Sequence, residues 1–91
     1  MQPVERLQQA LKATKPSQTQ QVLRQLYTRG NLSTVQAVRE LYILRLASRI
    51  AELKSWGFDI ENIEPTGEIA NYRFTPDFHK HLYLSLNEST N

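Results

Sequence analysis

Cysteine is absent from the 91-residue chain, which excludes disulfides and thiolate metal sites and fits a reducing compartment. Glycine occurs three times and never in a run that could cradle a phosphate. No stretch approaches the roughly 20 apolar residues of a membrane helix. Met1 to Leu11 carries Glu5 and Arg6 and no apolar run, unlike a secretory signal, so a soluble cytoplasmic protein is expected. Histidine is confined to His79 and His81. Their spacing suits a shared metal poorly on a helix, where positions three or four apart face one way, and no metal or other cofactor is expected. No Ser-His-Asp arrangement or clustered carboxylate pair is evident, so the chain does not read as an enzyme.

Acidic side chains are scarce in one half only. Residues 1–54 hold three against nine Lys or Arg, a balance of +6, whereas residues 55–91 hold six against two, a balance of −4. Such asymmetry is either an uneven surface or the mark of a polyanion partner for the basic half.

What is present is helical periodicity, repeated and then broken. Val4, Leu7 and Leu11 predict a short amphipathic helix over Pro3–Ala13, ended by Lys15-Pro16 because the residue before proline avoids helical backbone. Ser17 and Gln20 form a capping box ahead of Val22, Leu23, Leu26 and Tyr27, and Gly30 stops that helix. Ser33 and Gln36 repeat the capping box ahead of Val35, Val38 and Leu41, predicting a short second helix over Thr34–Leu41. A third, over Leu44–Trp56, follows at once. Ile43, Leu46, Ala47, Ile50 and Leu53 gather on its core side, Gly57 ends it, and Phe58 packs back on Leu53.

Beyond Gly57 the period becomes two. Phe58-Asp59-Ile60 and Ala70-Asn71-Tyr72-Arg73-Phe74 alternate, with the turn signal Glu64-Pro65-Thr66-Gly67 between them, which predicts a hairpin. Ile63 falls out of phase, so a bulge or strand end is expected near Asn62. Thr75-Pro76-Asp77 opens a helix on which Phe78, Leu82 and Leu86 share a face. Leu82, Leu84 and Leu86 also alternate as a strand would, and the helix is the preferred reading. Asn87–Asn91 is expected to fray. The organisation is therefore an N-terminal helical extension over 1–16, a central domain over 17–74, and a C-terminal helix and tail over 75–91.

Three helices with a tight second-to-third connection, followed by a hairpin, give the fold class: mainly α with a small β-hairpin, a winged helix-turn-helix with extra terminal helices. In that motif the third helix enters the DNA major groove. At about 100° per residue, Arg45, Ser48 and Glu52 lie opposite the core side and Arg49 flanks them. Arg reaches guanine O6 and N7 or grips phosphate, and Ser contacts either. Arg45 is expected to read bases, while Arg49 holds backbone or positions Glu52. Leu44 is placed to touch a thymine methyl. Arg24, Arg29 and Arg39 are candidates for flanking phosphate contacts, and Arg73 is the one basic candidate in the wing.

The run from Ile43 to Ile60, with Ile43-Leu44-Arg45-Leu46-Ala47-Ser48-Arg49-Ile50 at its start, resembles the third helix and first wing strand of small helix-turn-helix proteins from bacteriophages and prophages. Asn71-Tyr72-Arg73-Phe74 resembles their second wing strand, and the likeness covers about Val22 to Phe74. It implies a DNA-binding protein working in the cytoplasm of a bacterial host cell. The chain departs from the family at Tyr42, where glycine is frequent in the turn, and at Leu44, where Ser or Thr often precedes the helix. A left-handed Tyr42 would be strained, so the turn is expected to be shaped differently, with Tyr42 and Leu44 forming a small exposed apolar patch. The wing departs too, because Asp59, Glu61, Glu64 and Glu68 outnumber Arg73 and would repel phosphates. Two functions follow. One is sequence-specific binding of double-stranded DNA, by a transcriptional regulator or an excision factor, with a homodimer through the terminal helices doubling the footprint. The other is a protein partner, bound by a winged-helix adaptor or a phage-encoded inhibitor.

Overall fold

A computed structural model describes residues 1–64 and 69–89. The expected turn residues Pro65, Thr66 and Gly67, the acidic Glu68, and the last two residues of the expected tail lie outside the described residues. The element order is α1 (Pro3–Lys12), α2 (Gln18–Arg29), β1 (Leu32–Ser33), α3 (Thr34–Leu41), α4 (Leu46–Ser55), β2 (Ile60–Asn62), β3 (Asn71–Phe74) and α5 (Pro76–Ser89).

Both capping boxes form. The Ser17 hydroxyl accepts from the Gln20 amide and the Gln20 side chain accepts from the Ser17 amide, and Ser33 and Gln36 repeat the exchange. Each satisfies two amides that a helix start leaves open, and losing such a cap costs about 1 kcal/mol. Gly30 ends α2 with φ 91, a left-handed conformation that glycine adopts without steric cost. Gly57, at φ 98, follows α4 in the same way. There the Phe58 amide donates to Leu53 O at 3.1 Å and the Gly57 amide to Lys54 O at 3.0 Å, a Schellman motif that turns buried Phe58 back on buried Leu53.

The expected hairpin is part of a three-stranded antiparallel sheet in the order β1-β3-β2. Leu32 faces Tyr72 and Ser33 faces Asn71, so Ser33 serves as both strand residue and helix cap. On the other side Ile60 faces Phe74 and Glu61 faces Arg73. Phe58 and Asp59 precede this ladder rather than joining it, because the Schellman turn has fixed Phe58 onto the helix. The expected strand end at Asn62 is present: its carboxamide oxygen accepts from the amides of Glu64 and Asn71 at 3.0 and 3.1 Å, closing the ladder.

One core joins all parts. Leu7 and Ala10 of α1, Val22, Leu23 and Leu26 of α2, Leu46, Ile50 and Leu53 of α4, Phe74 of β3 and Leu82 of α5 are buried together. Phe58, Phe74 and Phe78 meet with ring centroids 5.8 to 6.0 Å apart, tying the end of α4, the sheet and α5 into one aromatic cluster. Burying each Leu, Ile or Phe stabilises the fold by roughly 1.5–3 kcal/mol, so the terminal helices are integral to a domain of this size. The preferred helical reading of the C-terminal segment is correct. It extends to Ser89, so the tail expected to fray from Asn87 is helical through that residue.

Candidate nucleic-acid interface

The connection between α3 and α4 sets the presentation of α4. Tyr42 closes α3 with φ 58 and ψ 32, the only non-glycine residue of positive φ among those described. The expectation of a differently shaped turn is therefore corrected: Tyr42 takes the left-handed conformation that glycine would take. Two hydrogen bonds hold it there, from the Tyr42 amide to Val38 O at 3.2 Å and from the Ile43 amide to Ala37 O at 3.0 Å. Ile43, buried next to it, anchors the turn in the core. The exposed apolar patch does form, since Tyr42 is 82% and Leu44 78% exposed.

α4 begins at Leu46 rather than Leu44. Leu44 has no side-chain oxygen to cap a helix at its position, and the chain turns helical only after Arg45, which occupies the N-cap without a side-chain cap bond. Leu46, Ile50 and Leu53 are buried, whereas Ala47, Ser48, Ala51, Lys54 and Ser55 are exposed. Ala47 is thus not on the core side as expected. A small apolar side chain satisfies a hydropathy pattern on either face, and its angle from Leu46, about 100°, turns it outward.

The candidate cations separate into two groups. Arg49 Nη1 lies 3.8 Å from Glu52 and 3.5 Å from the hydroxyl of Thr19, which itself donates to Glu52 at 2.7 Å. Thr19 is buried at the start of α2, so this trio fixes the angle between α2 and α4. Arg24 donates to Ala13 O across the α1–α2 connection at 3.4 Å. Arg29 pairs with Glu40 of α3. Arg73 pairs with Glu61, its partner across the sheet, at 2.7 Å. In contrast, no hydrogen bond or ion pair from the described residues reaches the exposed side chains of Arg39, Arg45 and Lys54. Arg39 lies in the last turn of α3, Arg45 is the N-cap of α4, and Lys54 lies in the last turn of α4.

On the described part of the wing one carboxylate is offset by a cation and a second is hydrogen-bonded to a hydroxyl. Glu61 holds Arg73, and Asp59 accepts from the Thr75 hydroxyl at 2.9 Å. His79 does not sit in a metal cluster: its Nε2 is 3.2 Å from Tyr27 O, and its ring meets Tyr27 edge-on at 5.3 Å. Among the described residues no group of His, Asp and Glu could hold a metal ion, and no helix is long and apolar enough to cross a membrane. Two features escaped sequence reasoning. Lys54 shares the outward flank with Ala47, seven residues earlier, a phase relation that was available once Ala47 was placed correctly. Thr19 as a buried link carried no sequence signal, since a polar residue in the first turn of a capped helix is ordinarily solvated.

A core of helices, a helix joined to its predecessor by a tight turn, and a small antiparallel sheet define a winged helix-turn-helix protein. A family model described as a winged helix-turn-helix domain matches residues 17–73, and the chain belongs to that family. Membership suggests DNA binding in general. No curated protein and no solved structure gave a significant match.

Proposed function

We propose that the protein is a sequence-specific double-stranded DNA-binding protein of phage or prophage type, a small transcriptional regulator or excision factor, with α4 in the major groove. The observation that carries this reading is the outward face of α4, backed by its buried Leu46, Ile50 and Leu53 and bracketed by Arg45 and Lys54, cations with no partner among the described residues. Arg45 stands where the helix enters the groove, with Ser48 one turn further on. Arg39, at the end of α3, is a phosphate contact beside it. Arg24, Arg29, Arg49 and Arg73 hold the scaffold instead, through the partners described above. The phage assignment rests on the resemblance of residues 43–60 to that family. The protein acts in the bacterial cytoplasm as a binding protein rather than an enzyme. Two copies on a palindromic site would pair through the terminal helices, where Tyr83 and Leu84 of α5 remain exposed.

A second reading, a protein-binding adaptor or inhibitor, is favoured by the exposed Tyr42 and Leu44. Selection from a random duplex pool, followed by affinity measurements across a salt series, separates the two. Two or three phosphate contacts per protomer predict a slope of log K against log salt of about −2 to −3. A flat slope with no enriched sequence would favour the protein partner.

A further inference from the structure

The hydrogen-bonding inventory of the α4 face is poorer than its exposure suggests. Ser48, Ala51 and Ser55 fall within about 60° of one another, opposite the buried side chains, and Ala47 flanks them. The Ser55 hydroxyl is spent within the helix, donating to Glu52 O at 2.6 Å. Glu52 accepts from Thr19, and Arg49 turns its Nη1 inward toward both, 3.5 Å from Thr19 and 3.8 Å from Glu52. The donors that remain are the Ser48 hydroxyl at the centre and, at the two ends, the Arg45 guanidinium and the Lys54 ammonium. The rest of the approach surface is apolar: Leu44, 78% exposed with no covering contact from the fold, and the methyl groups of Ala47 and Ala51.

The major-groove edge of a G·C pair offers two acceptors and an amino donor and no apolar group. Laying methyls over it strips those groups of water without replacing the hydrogen bonds, which is costly. The one apolar feature of the groove floor is the C5-methyl of thymine. Side chains as small as Ala47, Ser48 and Ala51 let the helix come close enough to touch it.

Resting on the DNA-binding reading above, we propose that this face is a thymine reader. Leu44, Ala47 and Ala51 pack on thymine C5-methyl groups, so the base pairs beneath α4 are A·T, with Arg45 left to a phosphate or to a base at the edge of the tract. The occupant of the exposed apolar patch is then the groove floor, continuous with the contacts of Ser48 and Arg45.

The test uses a duplex enriched from a random pool by the full chain, resynthesised with deoxyuridine in place of thymidine. The substitution keeps every base pair and removes only the methyls. Each methyl buried against an apolar side chain is worth about fourfold in affinity, so losing two should weaken binding about 15-fold. Leu44→Ala should weaken binding to the thymidine duplex and leave the deoxyuridine duplex nearly unchanged. Leu44 is exposed, so this variant should fold, and circular dichroism checks that it does. A selected site that is G·C beneath α4, or equal affinity for the two duplexes, overturns the thymine reading while DNA binding stands. Equal binding of Leu44→Ala and the wild type to both duplexes also overturns it, because Leu44 then packs on no thymine methyl. Absence of any duplex binding at low salt overturns the DNA reading and the thymine reading together.

Discussion

Replacing Tyr42 by glycine should stabilise the protein. Tyr42 holds φ 58 at the end of α3, and a left-handed conformation costs a residue with a Cβ roughly 1–2 kcal/mol. Its side chain is 82% exposed, so truncation forfeits little packing. Glycine is freer in the unfolded chain, which returns about 0.5–1 kcal/mol of the gain. The net expectation for Tyr42→Gly is a stabilisation of about 0.5–1 kcal/mol, and for a domain of this size that is a rise in Tm of about 2–8 °C. Tyr42→Ala is the control. It removes the same side chain but keeps the backbone penalty, so it should lie within about 0.5 kcal/mol of the wild type. Thermal and urea unfolding followed by far-ultraviolet circular dichroism measure all three proteins. If glycine proves less stable than alanine, the turn is not paying a conformational penalty and the strain argument fails. If both variants lose more than about 1 kcal/mol, the Tyr42 ring makes a packing contact that its exposure denies.

Three further outcomes are expected. Thr19→Val should cost about 1 kcal/mol, at the low end for a lost buried hydrogen bond because Glu52 is partly open to water, and should also weaken DNA binding by loosening α4 on α2; paired urea and affinity titrations check both effects. Arg45→Ala should reduce the salt slope of DNA binding by about one if that guanidinium grips a phosphate, whereas Arg73→Ala should leave the slope unchanged because Glu61 already neutralises it; a salt series on each variant distinguishes them. Burial, and secondarily the neighbouring Tyr83, raises the Tyr27 phenol above its ordinary pKa of 10.0. The folded state therefore holds this proton more tightly than the unfolded state does, so the associated stability is fully present below pH 10.0 and is lost as pH rises through the folded pKa. Urea midpoints measured from neutral to alkaline pH should show that fall, and Tyr27→Phe should flatten it.

Local chemistry made most of the fold legible. Ser17 with Gln20 and Ser33 with Gln36 announced two helix starts, and Gly30 and Gly57 announced two stops, because each acts through bonds to residues only a few positions away. β1 was not legible. Its two residues are too few to show an alternating period, and they pair with Tyr72 and Asn71, some forty positions on. The start of α4 was misplaced because Leu44 fits the hydrophobic pattern, although it cannot cap. Ala47 was assigned to the wrong face because alanine is apolar wherever it stands.

The site was legible as a region and not as a set of roles. The basic half and the third helix pointed to the surface that α4 turns away from the core. Which arginines are available depends on partners that sequence spacing does not reveal: Glu40 on the next helix for Arg29, Glu61 across the sheet for Arg73, and a main-chain oxygen of the α1–α2 connection for Arg24. Arg39 and Arg45 stand out as having no partner among the described residues only when those pairings are known. The acidic wing, a puzzle in the sequence, becomes intelligible in part, since Glu61 and Asp59 have internal partners.

The central claim is that α4 meets DNA with its outward face. Its most direct test is a titration of the isotopically labelled chain with its selected duplex, followed by amide chemical-shift changes. The largest changes are expected at Arg39, Tyr42 and Leu44 to Ser55, with Glu61, Arg73 and α5 little affected in the bound protomer except where two copies touch. Changes concentrated on the sheet or on α5, with Arg45, Ser48 and Ala51 unmoved, would contradict it.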